Sequence, residues 1–443
     1  MLFMLIATVA AACGQKKKQT QQAEAPALRP VESSVIYEVN IRQYTPEGTF
    51  NAFAEHLPRL KELGVDVLWL MPVNPISGKN RKGTLGSYYA VQDYQKVNPE
   101  YGTMDDLKAL VKKAHDMGFR VILDWVANHT GWDNPLIEEH PDWYTQRDGQ
   151  IVSPVADWSD VADLNYDNRD MRNYMIESLQ FWVREADIDG YRCDMAAMVP
   201  TDFWEDARVA LDSLKPVFML AEAWEPELTQ KAFDACYGWD LHHLMNDLAQ
   251  GKKDGHALPA YFAKVDTLYP AHTIIMNFID NHDENSWSGY VKERMGDAHK
   301  VYAVMTYTVP GMPLMYTGQE AGLDKRLAFF EKDSVDWSKS PELAGFYRQL
   351  NDLKHNSPML KAGENEGTFR ILKQNNEGKV FAFERAADDK RMVVVLNLTG
   401  EGQSLQLEEV LPGAYSEYFT GTEVNEIGNL NVDANGFLVF IQK

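Results

Sequence analysis

From about residue 35 to about residue 355 the chain alternates short apolar runs with amphipathic helical stretches, and this alternation constrains the fold more than any other feature. Eight runs have strand character: VIYEVNI (35 to 41), VDVLWLM (65 to 71), FRVILDW (119 to 125), DGYRCD (189 to 194), VFMLAE (217 to 222), a short one from Ala235 to Trp239, TIIMNFI (273 to 279) and PLMYTG (313 to 318). Strands separated by helices form successive βα units and hence a parallel sheet. Eight of them is the count of a TIM (β/α)8 barrel. The helical stretches FNAFAEHLPRLKELG and MDDLKALVKKAHDMG end in Gly64 and Gly118, which suit C-caps.

The 443 residues exceed one ordinary domain but suit a large barrel with a small appended domain. Asp124 and Asp194 are too far apart for one βα unit, so an excursion is expected after strand three, over about 130 to 165, where Trp, Pro and Asp are frequent. After about Lys361 the helical pattern stops. TFRILKQ, KVFAFER, RMVVVLNL and GFLVFIQ, separated by turn residues, then predict a C-terminal antiparallel β-sandwich domain. The division expected is a leader and tether over 1–33, a barrel over 34–358 with its inserted loop, and the sandwich over 359–443.

A net charge of −22 argues against nucleic acid as a partner. The three cysteines, Cys13, Cys193 and Cys236, define no disulfide framework. Cys193, between Arg192 and Asp194 on a strand, reads as a small buried filler. Cys13 ends the apolar run LFMLIATVAAAC and precedes Gly14 and the polar stretch QKKKQTQQAEA. This resembles a bacterial lipoprotein signal, although no Lys or Arg precedes Cys13. The run is shorter than the roughly 20 residues a membrane span takes. The arrangement expected is a domain held at the cell envelope, on its periplasmic or outer-surface side, by a lipid on Cys13.

Four segments at the ends of predicted strands carry acids at barrel spacing: DWVANHT (124 to 130), GYRCDMAAM (190 to 198), LAEAW (220 to 224) and FIDNHDEN (278 to 285). Asp194, Glu222 and Asp283 therefore converge on one cleft. Retaining cleavage of a glycosidic bond needs a carboxylate nucleophile and a carboxylic acid about 5 to 5.5 Å apart. Arg192, two residues before Asp194, shares its side of the strand and is expected to keep that carboxylate ionised. Glu222 has no charged neighbour in sequence. Burial is expected to raise it and fit it as the general acid, so that the two pKa values separate.

In this order and spacing the four segments resemble the α-amylase family of glycoside hydrolases. GVDVLWLMPVNP, GSYYAVQDYQKVNPEYGT, VADLN and PLMYTGQEAG extend the resemblance over nearly the whole chain. It implies Asp194 as nucleophile, Glu222 as acid/base and Asp283 as transition-state stabiliser, acting on α-1,4-linked starch or maltodextrin. Arg192, His129 and His282 match family positions that contact the sugar beside the cut bond, and Tyr89 matches the tyrosine that stacks on it. Asn128 and Asp163 match two side-chain ligands of a structural calcium. No organic cofactor is implied.

One departure concerns specificity. Typical members carry Lys and His three and four residues after the nucleophile, where this chain has Ala197 and Met198. A less polar leaving-group side makes endo cleavage of long starch less plausible and favours maltodextrin hydrolysis or transglycosylation. An exo-acting α-glucosidase and a noncatalytic glycan-binding lipoprotein are the alternatives. Trp125, Trp132, Trp143, Tyr144, Trp158, Trp224 and Trp287 fall near the expected active face, and two or three of them are expected to line sugar subsites.

Overall fold

The computed structural model describes residues 27–443, so Cys13 and most of the expected tether lie outside the described residues. Eight parallel strands close into a barrel: β1 Ile36–Val39, β2 Val67–Leu70, β3 Arg120–Val126, β4 Gly190–Asp194, β5 Phe218–Ala221, β6 Ala235–Tyr237, β7 Ile274–Asn277 and β8 Met312–Tyr316. Each falls within a few residues of its expected run. Neighbours follow chain order, and the barrel closes where Ile36 of β1 pairs with Leu314 of β8.

The apolar runs are continuous because both faces of each strand are buried. Ile36, Val67, Trp69, Ile122, Leu220 and Met276 point inward and fill the barrel, while Tyr37, Leu68, Val121, Leu123 and Met219 point outward against the helices. The surrounding helices begin and end where local chemistry dictates. Thr103 and Asp106 form a capping box at the start of the helix Met104–Asp116. Gly64, left-handed at φ 90°, ends the helix Leu57–Leu63 by donating its N–H to the carbonyls of Leu60 and Lys61.

After β3 the chain leaves the barrel. Its strand His129–Gly131 pairs antiparallel with Val161–Asp163, and a short hairpin joins Gln146–Arg147 to Gln150–Ile151. This excursion stands beside the C-terminal ends of the barrel strands.

The C-terminal part is one six-stranded antiparallel sheet: β9 Thr368–Ile371, β10 Val380–Ala387, β11 Lys390–Asn397, β12 Gln403–Glu417, β13 Glu423–Val432 and β14 Phe437–Gln442, in the order β9-β10-β11-β14-β12-β13. Register shifts between Gln406 and Leu411 and between Pro412 and Tyr415 bend β12, and Gln374 beyond β9 bridges Leu407 of β12. The sheet thereby folds over one cluster that includes Val393, Val395, Leu405, Leu411 and Ile427. The alternate residues Phe381, Phe383, Met392, Val394 and Leu396 face the barrel and join its outer core. Long β12 and β13 were absent from the sequence reading, since polar residues on their exposed faces dilute the apolar signal.

Among the described residues no helix is long and apolar enough to cross a membrane. Cys193 is fully buried, and burial pushes its thiol up, so it packs as a filler.

Candidate active site

The inward alternation of the strands carries charge to their C-terminal ends. Glu38 on β1, Trp69 on β2, Asp124 on β3, Arg192 and Asp194 on β4, Glu222 just past β5 and Tyr237 on β6 all converge there. Arg192 is the hub and is wholly buried. Its Nη1 donates to Asp124 Oδ1 at 2.9 Å and Asp194 Oδ1 at 3.2 Å, and its Nε to the Tyr237 hydroxyl at 3.0 Å. Nη2 lies 2.8 Å from Glu222 Oε2 without being aligned for a hydrogen bond. Trp69 lies beneath the guanidinium, its ring centre 5.0 Å away.

A second chain of bonds fixes the histidine. Tyr89 donates its hydroxyl proton to Asp124 Oδ2 at 3.1 Å and lies 2.7 Å from His282 Nε2, so that nitrogen must donate to the hydroxyl. His282 Nδ1 lies 2.5 Å from Glu38 Oε1. Both ring nitrogens therefore carry protons. Burial disfavours that charge, but Asp283 and Glu38 overcome it and raise the pKa to about 9. His129 differs: burial lowers it to about 4, so its ring is neutral, and Nδ1 faces the Asn128 amide at 3.3 Å.

Burial pushes the carboxyls of Glu38, Asp124, Asp194 and Glu222 up, against the pull of Arg192 or His282. This corrects two sequence expectations. A cation does touch Glu222, because strands bring Arg192 to it from 30 residues away. Burial also moves Asp194 in the same direction as Glu222, with the Glu222 charge adding to it. Four buried acids thus crowd around Arg192 and His282.

A cavity of about 630 Å³ opens above this cluster, with Asp194, Met195, Glu222 and Asp283 at its base. Tyr89, His129 and His282 line it. Arg192 does not: it reaches the cavity only through the carboxylates it holds and is a positioning residue. Met195, immediately after Asp194, adopts a left-handed backbone at φ 44°. Its N–H donates to Glu222 Oε2 at 2.8 Å, which ties the two acids together. Asp283 precedes a single π turn, Glu284–Ser288, which carries Trp287 to the rim.

Of the seven aromatic candidates, Trp158 and Trp287 line the cavity, Trp224 is exposed nearby in sequence to Glu222, Trp132 is half-buried with its Nε1 donating to the Ser159 carbonyl, and Trp125, Trp143 and Tyr144 are core. Sequence reading missed Glu38, Trp69 and Tyr237 under the site, and Lys82, Phe329 and Phe330 on its walls. Only Glu38, a lone acid in the apolar run VIYEVNI, gave a local signal.

Among the described residues no group of three or more His, Cys, Asp or Glu is arranged to hold a metal. Asn128 and Asp163 do not line the cavity, and they supply three side-chain oxygens, one amide and two carboxylate, where calcium takes six to eight. The carbonyls of the neighbouring loop are taken by tyrosines: Tyr94 bonds Val126 and His129, and Tyr166 bonds Ala127. No step below depends on a metal there.

The family model of the alpha amylase catalytic domain matches residues 17–392, and that of the maltogenic amylase C-terminal domain matches residues 369–440. The chain is 29% identical over 421 residues to alpha-amylase MalA of Haloarcula japonica, covering 91% of this chain and 60% of that protein. It thus spans less than two thirds of that relative's length. The crystal structure of the maltogenic alpha-amylase AmyB from Thermotoga neapolitana superposes with a TM-score of 0.85 at 29% identity, covering 93% of this chain and 99% of that one. That of an alpha-amylase from Lactobacillus plantarum gives 0.84 at 31% identity, with the same coverage. The closed barrel, the acids converging at its strand ends and these matches make the chain a member of the alpha-amylase family.

Proposed function

We propose that the protein hydrolyses α-1,4-glucosidic bonds of maltodextrins by double displacement with retention. The observation that carries this is the convergence of Asp194, Glu222 and Asp283 at the base of one cavity. Glu222 Oε2 accepts the Met195 amide, which leaves Oε1 to carry the proton of the general acid. In the first step Glu222 protonates the glycosidic oxygen while Asp194 attacks the anomeric carbon, forming a glycosyl ester as the leaving sugar departs. In the second, Glu222 takes a proton from water, the water attacks the same carbon, and Asp194 leaves as carboxylate.

Neutral His129 presents a donor to a sugar hydroxyl, cationic His282 holds the Tyr89 hydroxyl and adds positive charge beside the acids, and Tyr89 presents a ring face. Asp283, about a third exposed, faces the positive charge that develops on the sugar. A slow fluorinated glucosyl substrate should add one glycosyl mass to the peptide carrying Asp194. Labelling elsewhere, or turnover unchanged in Asp194→Asn, would remove Asp194 from this role.

Transfer to a second sugar competes with hydrolysis in this reading. Met198 and Trp224, 40% and 50% exposed, follow the two acids in sequence and offer an acceptor sugar apolar contact instead of charge. Products longer than the starting maltodextrin would reveal it. Attachment to the envelope through a lipid on Cys13 is likewise our reading of the sequence. Detergent-phase partitioning of the native protein, lost in Cys13→Ser, tests it.

A further inference from the structure

We infer that the loops over five consecutive barrel strands form one bonded wall that closes the glycone end of the cleft, with Lys82 as its tie, so that the enzyme releases mono- or disaccharide from the non-reducing end. This rests on the hydrolase reading above and specifies which products it gives.

The wall can be followed strand by strand. In the loop after β7, Trp287 packs on Phe329 and Phe330 of the loop after β8, with ring centres 5.2 and 5.7 Å apart, and Arg326 donates to the Trp287 carbonyl at 3.1 Å. Arg42, after β1, donates to the carbonyls of Gly86 and Leu85, after β2, at 3.0 and 3.2 Å. Leu85 N–H donates to Phe330 O at 3.0 Å, and Thr84 N–H to Glu331 Oε1 at 2.9 Å. At Gly83, φ is +65° and an added Cβ would lie 2.5 Å from the Phe330 Cβ, so the two loops meet with no gap for a side chain.

Lys82 completes the arc. Its Nζ lies 2.9 Å from Asp160 Oδ1 and donates to Asp157 O at 2.8 Å, both in the excursion after β3. Lys82, Asp157, Trp158 and Asp160 line the same cavity as the catalytic acids. The Asp160 side chain is 7% exposed, so the tie is partly shielded from solvent. On the other side, the loops after β4 and β5 present exposed Ala197, Met198 and Trp224.

The acids stand at β4 and β5, between the wall and this open side. His129, His282 and Tyr89, which line the cavity beside the acids, pack on the wall: His129 on Trp158 with ring centres 5.5 Å apart, and Tyr89 and His282 on Phe329 at 6.4 Å each. The glycone therefore points into the closed end and the remainder of the chain leaves over β4 and β5. The whole cavity, about 630 Å³, is in the range that encloses one small ligand, suited to one or two sugar rings on the closed side.

The test is the early product pattern from maltoheptaose carrying a fluorophore at its reducing end, for the wild type and for Lys82→Ala and Lys82→Met. The wild type should release unlabelled glucose or maltose, with the label retained on the long remainder. Both variants should raise the fraction of unlabelled products longer than maltose at least fivefold. Lys82→Met keeps the apolar stem, so it guards against a loop that simply collapses. Unlabelled maltotriose or longer from the wild type in the first minutes, short labelled products, or profiles unchanged in both variants would overturn the closed end while leaving hydrolysis intact. No cleavage of any maltodextrin by the wild type would instead overturn the hydrolase reading, and this inference with it.

Discussion

The two ends of the barrel bury charge in opposite ways. At the C-terminal ends of the strands, Glu38, Asp124, Asp194 and Glu222 crowd around Arg192 and His282, and burial pushes all four carboxyls up. At the N-terminal end, the buried cations Lys354 and Arg385 seat the C-terminal sheet. Lys354 donates to the carbonyls of Gly311 and Leu360, and Arg385 to those of Thr308, Gly367 and Thr368. Burial pushes Lys354 down to about 7 and Arg385 down to about 10. Carbonyls accept from both cations, and Glu366 lies 3.7 Å from Arg385. At the other end Asp194 and Glu222 open together on the cavity. One cluster is arranged for chemistry and the other for attachment.

The sharpest division should appear on removing one member from each end. Glu222→Gln should lower kcat by about 10² to 10⁴-fold, the usual contribution of a general acid. Its urea midpoint should be unchanged or higher, since one buried anion is gone. Arg385→Met should do the reverse, costing about 3 to 5 kcal/mol of stability as a buried, hydrogen-bonded charge lost from its partners while leaving kcat of the folded protein unchanged. Urea unfolding and initial rates on maltoheptaose measure both. Equal loss of activity in the two variants would break the division.

The ends should also differ in sign with pH. His282 titrates at about 9, above its ordinary 6.5. The stability it adds is full below pH 6.5 and lost as pH rises through 9, and this slope should vanish in His282→Gln. Lys354 titrates at about 7, below its ordinary 10.5. Protonating it penalises the folded state, so stability relative to Lys354→Met should fall as pH drops from 10.5 through 7. Urea midpoints of the three proteins from pH 6 to 10 read both slopes, and slopes of the same sign would refute the contrast.

The barrel was legible because burial on both faces leaves each strand as an apolar run that local reading can see. The acids were legible because they end those runs. What local reading could not see was convergence. Arg192 was paired with Asp194, two residues away, but not with Glu222, which the barrel brings to the same guanidinium. Glu38, Trp69 and Tyr237 each look like ordinary strand residues until the closed barrel points them at one centre. Lys82 is one of three basic residues in a polar loop, with Lys79 and Arg81, and its partner Asp160 lies in a separate excursion. Strands β12 and β13 were hidden because half their residues face solvent, and the bend at Pro412 interrupts their alternation.

The smallest effect expected is that of metal removal. With tyrosine hydroxyls on the carbonyls of the loop after β3, dialysis against a chelator should leave the thermal midpoint unchanged. A fall restored by calcium would show that Asn128 and Asp163 gain further oxygen ligands from that loop.

The measurement that bears most directly on the central claim is proton NMR of the anomeric signals during the first minutes of maltoheptaose cleavage. A double displacement through Asp194 with Glu222 as acid/base releases new reducing ends in the α form, which then relax to the equilibrium mixture. New ends appearing first in the β form would contradict it, because they would require water to attack directly and leave Asp194 without a covalent role.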